Sequence, residues 1–328
     1  MLLKRWLTAI VLLPLLLLIL LRGTPLMFTS LVFVISLLGL REYFCIVPLP
    51  VHGDALDRQG VCPDPIHSSP GYNPEKEMSS KKTDSMEGSC CSGKTYPFIF
   101  SVLGKCPNYV KEKRNIGVVL ISGVIAFFMM AAAHNGSLGL MLLAPALNVL
   151  ILTLLVLVVY APGSDILRAI ETQVQGVVYV PFFLSFLVLI REGEKGGLWI
   201  VWLWLMVAAS DTGAFYCGSY YGKRPLSPQI SPNKTIEGAL GGIVLAMGVG
   251  VGFETLFIHD VSLMGTLAFA LTAAMAGQIG DLFESALKRT GGIKDSGHLL
   301  PGHGGVLDRL DGVIFAAPVA YLFKEFLL

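Results

Sequence analysis

Charged side chains are scarce in this chain. Only 14% of its 328 residues are Asp, Glu, Lys or Arg, where a soluble domain carries about a quarter. Hydrophobic residues make up 54%, and the mean hydropathy is +0.68. This shortfall excludes a domain solvated by water on all sides and points to lipid as solvent. Cysteines in metal-binding spacing are also missing: the six include the adjacent Cys90 and Cys91 but no C-x₂-C pair, which argues against a structural zinc site. The thiols of Cys62, Cys90, Cys91 and Cys106 are expected to be reduced, and Cys45 and Cys217 to be helix-packing residues. No internal repeat is visible, so the inverted halves of many transporters find no support. Aspartate runs of the type D-D-x-x-D, or D-G-x₂-A-R followed by G-x₃-D-x₃-D, are absent. That removes the usual signatures of membrane transferases that join a phospho-sugar or an alcohol to a lipid carrier.

What the chain does have is apolar runs of bilayer-spanning length, about 20 residues each. About nine are expected, at roughly 6–21, 25–47, 115–134, 137–160, 174–190, 197–221, 236–258, 262–284 and 307–328. The fold class is therefore all-α and polytopic. The first run follows Lys4 and Arg5 but lacks a small-residue cleavage site, so a retained anchor is expected. Residues 50–96 break the pattern, being rich in Ser, Gly, Pro and charge. Such a stretch has too little apolar surface to offset its ordering entropy. The organisation expected is an N-terminal membrane hairpin (1–49), a polar insert (50–96), central membrane helices (97–209) and a catalytic membrane region (210–328). With the N-terminus cytoplasmic, 20 of the 24 Lys and Arg fall on the inside, as the positive-inside rule requires. The polar loops at 222–235 and 286–306 then face the cytoplasm.

The first polar cluster is SDTGAFYCGSYYGKRPLSPQISPNKTIEG, residues 210–238. Asp211 closes an apolar run, and a carboxylate in hydrocarbon marks a functional candidate, although helix capping is the plainer role. Gly213, Gly218 and Gly222 permit either close helix approach or access of a ligand to backbone. Lys223, Ser231, Asn233, Lys234 and Thr235 are phosphate-contacting types.

The second cluster begins inside the membrane as GQIGDLFESALKRTGG. Gln278, Asp281, Ser285 and Lys288 follow spacings of three, four and three and share one helix face, with Glu284 beside them. Asp308 and Asp311 open the last apolar run. Carboxylate oxygens suit Mg²⁺, which takes one or two of them together with phosphate oxygens. Lys288, Arg289, Lys294, His303 and Arg309 supply charge to neutralise a polyphosphate. Gly302, Gly304 and Gly305 let backbone amides reach anionic oxygens. An anion channel would also use basic residues, but has less use for intramembrane carboxylates.

Written as a pattern, this second stretch is S-x-L-K-R-x₄-K-D-S-G-x₂-L-P-x-H-G-G-V-x-D-R-L-D. It resembles the signature of the phosphatidate cytidylyltransferases, or CDP-diacylglycerol synthases, and 210–238 resembles a second block of the same family. The resemblance covers about 115–328; the insert departs from it, and Ser219 stands where an arginine is expected. It implies transfer of CMP from CTP to phosphatidic acid, giving CDP-diacylglycerol and pyrophosphate. It also implies a homodimer in the inner (cytoplasmic) membrane, with no nucleic-acid partner. The family's metal carboxylates map onto Asp281 and Asp308, with Mg²⁺ and a K⁺ alongside. Lys288, Arg289, Lys294 and Arg309 are then expected to neutralise phosphate. Asp211, Lys223, Ser231, Asn233, Lys234, Thr235, Gly304 and Gly305 are expected to line the substrate site. His303 either donates to pyrophosphate or holds the glycine turn. Asp295 and Asp311 are expected to orient neighbouring cations, and His298 to be structural or exposed.

Overall fold

Thr24, Thr235 and Ser262 set three of the helix starts as side-chain caps. In the computed structural model, residues 14, 16–47, 109–159, 166–293, 295–297 and 304–327 are described. The insert at 50–96, most of the first apolar run, Lys294, His298, Gly302 and His303 lie outside them. Helix α1 runs Pro25–Ile46: Thr24 accepts a hydrogen bond from the Met27 N–H, and Pro25 opens the first turn, where its missing donor does no harm. Helices α2 (Tyr109–His134) and α3 (Leu138–Val159) follow. Helix α4 (Ile166–Val177) passes through a π-helical turn, Val178–Phe182, into α5 (Phe183–Glu192). Pro181 sits in that turn. A proline cannot donate and crowds the carbonyl four residues back, so the helix widens locally instead of breaking.

Helix α6 (Gly196–Tyr221) leads to a short antiparallel hairpin, β1 (Pro225–Ser227) and β2 (Ser231–Thr235). The segment expected as a proline-stiffened loop is thus a hairpin, the one sheet among the described residues. Thr235 ends it and caps α7 (Ile236–Phe253) by accepting from the Gly238 N–H at 3.1 Å. After the π turn Glu254–Ile258, Ser262 caps α8 (Leu263–Thr290). Helix α9 (Leu307–Leu322) continues into a last π turn, Phe323–Leu327.

Six helices among the described residues are long and apolar enough to cross a membrane: Pro25–Ile46, Leu138–Val158, Ile166–Glu192, Gly196–Tyr221, Ile236–Ile258 and Leu263–Thr290. The run at 115–134 yields the shorter apolar helix Val118–His134, and 307–328 yields α9. The protein is an all-α polytopic membrane protein. Ile166–Glu192 is its central span, with 72% of the apolar window buried, whereas Leu138–Val158 buries only 17% and offers Leu157 and Val158 outward, as a lipid-facing helix does.

Packing between helices uses aromatic rings at the centre and glycines at the α6–α7 seam. The Trp202 indole lies 4.9 Å from the Phe269 ring and donates to the Gly250 carbonyl at 3.0 Å. At Gly213 a Cβ would come within 2.8 Å of the Gly241 carbonyl oxygen. Gly213 therefore serves close helix approach, while Gly218 lines a cavity. Cys217 is free, whereas Cys45, expected as a packing residue, is disulfide-bonded.

Two sets of contacts mark the two ends of the bundle. At one end His134 meets Glu192, Arg191 donates to the Gly23 carbonyl, and Lys195 pairs with Asp260. At the other end the hairpin, the α8–α9 connection and the end of α1 come together. Exposed Phe215, Tyr216, Tyr220 and Tyr221 ring the α6 terminus at this second end, the arrangement of an interfacial aromatic belt.

Candidate active site

Both polar clusters of the sequence arrive at that second end. A cavity of about 490 Å³ opens between α6, the hairpin, α7 and α8. Its polar lining includes Asp211, Ser219, Ser231, Asn233, Lys234, Thr235, Gln278 and Asp281, with Phe215 and Leu226 as apolar wall. Gln278 is fixed by donating to Ser210 Oγ and to the Ala239 carbonyl, both at 3.0 Å. That ties α8 to α6 and α7 one turn from Asp281. Lys234 Nζ forms an ion pair with Asp281 Oδ2 at 2.5 Å, without hydrogen-bond alignment. Asp211 lies in the electrostatic field of Asp281 and Lys234.

A second group lies across α8. Lys288 Nζ donates to Glu284 Oε2 at 2.6 Å and to Asp308 Oδ1 at 2.8 Å. The other oxygen of Asp308, Oδ2, accepts from the Ser296 N–H at 3.0 Å and the Gly305 N–H at 2.8 Å. The Gly305 amide, expected to face anionic oxygens of a ligand, thus donates to Asp308. Gly304 takes a positive φ of 83°, and a Cβ there would stand 2.7 Å from Asp308 Oδ2. Glycine at 304 serves both the left-handed turn and the approach of this carboxylate.

Asp311, one helical turn beyond Asp308, bridges the two groups: Asp281, Asp211 and Lys288 all act on it electrostatically. Asp308 accepts from one ammonium and two amides. Asp311 Oδ1 accepts from the adjacent Gly312 N–H at 2.8 Å. Glu284 is 1% exposed and its Oε1 has no hydrogen-bond partner. Among the described residues no three His, Cys, Asp or Glu side chains form a ready-made metal cage. Mg²⁺ requires none, since it keeps waters and takes substrate phosphate oxygens. Asp281 shares the cavity wall with Asp211 and with the oxygens of Ser231, Asn233 and Thr235, donors of the type that ion takes. Asp308, the other expected metal carboxylate, is engaged by Lys288 and two backbone N–H groups, as Asp281 is by Lys234.

The other expected residues sit at the margin. Arg289 Nε donates to the Ile230 carbonyl at 3.2 Å, pinning the hairpin turn to α8. Arg309 is exposed beside Asp308, and Asp295 is exposed in the connection. Lys223 is exposed and outside the cavity wall, its N–H donating to Glu237 Oε2 at 3.0 Å. One residue escaped the sequence reading. Glu42 of α1 is 8% exposed, and its carboxylate accepts from the Val306 N–H and the Leu307 N–H, each at 2.9 Å, and from Ser296 Oγ at 3.2 Å. A charge inside an apolar helix was the signal that could have found it.

Comparison with known proteins places the chain in a family. A phosphatidate cytidylyltransferase of Helicobacter pylori (strain ATCC 700392 / 26695) is 52% identical over 128 residues, covering 38% of this chain and 46% of that protein. The Bacillus subtilis (strain 168) protein of the same name is 41% identical over 145 residues, 44% and 54% of the two chains. That of Thermotoga maritima is 38% identical over 173 residues, 50% and 62%. The chain thus spans about half the length of the curated relatives it matches. The sequence model of the cytidylyltransferase family matches residues 106–327, which takes in every element of the site except α1. By that match, which covers well over half of its length, the chain belongs to the cytidylyltransferase family.

Proposed function

We propose that this protein transfers CMP from CTP to phosphatidic acid, releasing pyrophosphate and forming CDP-diacylglycerol in the membrane. The observation that carries this reading is the cavity itself. It brings Asp281, Lys234 and a hydroxyl-rich strand together at the bundle end that also bears the exposed aromatic belt. A lipid phosphate at the headgroup level and a water-soluble nucleotide meet at that depth. Family membership and the names of the relatives support the same reaction.

The bond changes are simple. An oxygen of the phosphatidate phosphate attacks the α-phosphorus of CTP, and the bond from that phosphorus to the α–β bridging oxygen breaks. Pyrophosphate leaves carrying the bridging oxygen. The nucleophile is already anionic, so no side chain need remove a proton. The chief obstacle is repulsion between two polyanions, and cationic side chains answer it. Lys288, Arg289 and Arg309 stand at the end of α8 and the start of α9, with Lys294 between them in sequence. Lys234 supplies charge from the cavity wall, and Ser231, Asn233 and Thr235 supply neutral donors for the nucleotide or headgroup. Asp281, with Asp311 in its field, would hold Mg²⁺. When bound, that ion screens charge on the phosphates and on the departing pyrophosphate. Asp308 holds the turn that carries these groups. A K⁺ beside the Mg²⁺ is tested in the same assay.

The excess of Lys and Arg on the 222–235 and 286–306 side supports a cytoplasmic opening, and the resemblance supports a homodimer in the inner membrane. The test uses purified protein in detergent with phosphatidic acid, CTP and Mg²⁺. Pyrophosphate and lipid-linked CMP should appear in equal amounts, and EDTA should abolish both. Folded protein that makes neither, with K⁺ present and several acyl chains tried, refutes the assignment.

A further inference from the structure

We infer that Glu42 is a positioning residue for this transfer: entering from α1, its carboxylate holds the first turn of α9 in the register that presents Asp308 and Asp311. This inference rests on the proposed reaction for its activity readout. The geometry that motivates it does not.

Helix α9 begins without a side-chain cap of its own, its N-cap being Val306. The N–H groups of Val306 and Leu307 are buried with their residues, and a buried donor without a partner is costly. Glu42 satisfies both, one with each carboxylate oxygen. Together with Asp308, which accepts from Gly305, two carboxylates take three consecutive N–H groups. The same pair grips Ser296: its N–H donates to Asp308 and its hydroxyl to Glu42. Both ends of the α8–α9 connection are therefore fastened to one point on α1.

Residues more than 250 positions away are shaped to admit this carboxylate. A Cβ on Gly297 would stand 2.7 Å from Glu42 Oε1, and one on Gly305 would stand 2.6 Å from Glu42 Oε2. The end of α1 also closes on α8, since a Cβ on Gly291 would lie 2.5 Å from the Ile46 carbonyl oxygen. A helix that merely filled space here would need no charge, and a charge at this depth is expensive unless it has a task. A negative carboxylate at a helix N-terminus is also favoured by the helix dipole.

The experiment compares Glu42→Gln, Glu42→Asp and Ser296→Ala in the full chain, with Glu192→Gln at the opposite end as control. Gln turns an NH₂ toward N–H donors, so Glu42→Gln should lower kcat about tenfold to a hundredfold while KM for CTP moves less than about threefold. Glu42→Asp keeps the charge with a shorter reach and should recover part of the loss. Glu192→Gln should leave kcat unchanged. Ser296→Ala combined with Glu42→Gln should lose less than the product of the single losses, because both act on one contact. Independently of activity, amide exchange of residues 305–307 should quicken about tenfold in Glu42→Gln. Unchanged kcat and unchanged exchange in a folded Glu42→Gln protein overturn the inference, as does a parallel rise in KM without loss of kcat. If Glu42→Gln does not fold, exchange in Glu42→Asp and Ser296→Ala decides: normal protection at 305–307 in both overturns it. If the unsubstituted protein makes no pyrophosphate, the reaction assignment falls, and the exchange comparison alone still decides whether Glu42 holds the turn.

Discussion

Replacing Lys288 with methionine tests the centre of the polar network most severely. Lys288 is one ammonium serving two carboxylates, Glu284 at 2.6 Å and Asp308 at 2.8 Å, with side-chain exposures of 16%, 1% and 13% in that order. Methionine keeps the length of the stem and deletes the charge. Two acids then face each other without the ammonium that joined them. Removing one partner of a buried pair destabilises by about 3–5 kcal/mol, a large fraction of a typical 5–15 kcal/mol folding free energy. Equilibrium unfolding in mixed micelles measures the loss, and pyrophosphate release measures turnover of the folded fraction. Glu284→Gln added to Lys288→Met removes one uncompensated carboxylate and should recover about half of the lost stability. It should not recover turnover, because the cation needed against phosphate is still missing. A Lys288→Met protein as stable as the parent would refute the reasoning that this ammonium holds the network. A double variant that regained turnover would refute its role with phosphate.

Other predictions are more local. Asp281→Asn and Asp311→Asn should each abolish Mg²⁺-dependent turnover in protein that still inserts; a near-normal rate in either removes that residue from the metal proposal. Asp308→Asn should also abolish turnover, but with faster amide exchange at Ser296 and Gly305, whose N–H groups its carboxylate accepts; normal exchange there would make it an ordinary ligand. Gly213→Val should destabilise by about 1–3 kcal/mol through overpacking against the Gly241 backbone, whereas Gly248→Ala meets nothing within 4 Å and should be neutral in the same unfolding assay. Deleting 52–92 should leave pyrophosphate release largely intact, because that stretch lacks core-forming residues; loss of turnover in a folded deletion protein would overturn this.

Much of the site was legible because charge in an apolar chain stands out. Asp281 and Lys288 announce themselves by spacing on one helix face, and Lys234 by its place among hydroxyl residues. Glu42 obeys the same rule, yet it stands in an N-terminal apolar run outside the two long motifs, with no polar cluster around it to mark it as part of a site. The hairpin at 225–235 was hidden for another reason. Its prolines remove ladder donors, and no apolar–polar alternation marks either strand. The division of labour between Asp308 and Asp311 could not be read at all. Three residues apart, they share a helix face by periodicity, and only the backbone turn before α9 decides which one accepts from the N–H groups of Ser296 and Gly305. The glycines of 302–305 raised the opposite difficulty. Their pattern is that of an anion-binding turn, and the described part of that turn does bind carboxylates, but they are the protein's own Asp308 and Glu42.

That substitution of internal carboxylates for external phosphate bears on how the site meets its substrates. In the structure the site's central cations are paired: Lys234 with Asp281, and Lys288 with Glu284 and Asp308. Such pairing is what allows charge to persist beside hydrocarbon. It also means that a phosphate drawing Lys234 toward itself leaves Asp281 without its counter-ion. The bare carboxylate then favours a cation in its place, beside Asp211 and Asp311. Anion and cation should therefore raise each other's affinity through the Lys234–Asp281 pair, by the reciprocity that links any two sites. Lys234→Gln isolates this coupling. It should weaken CTP binding while making Mg²⁺ binding in the absence of nucleotide stronger, because Asp281 no longer has a competitor. Titration of Mn²⁺ followed by its electron paramagnetic resonance signal measures the second effect without turnover. Equal or weaker Mn²⁺ binding in Lys234→Gln would show that the ion pair does not gate the acidic locus.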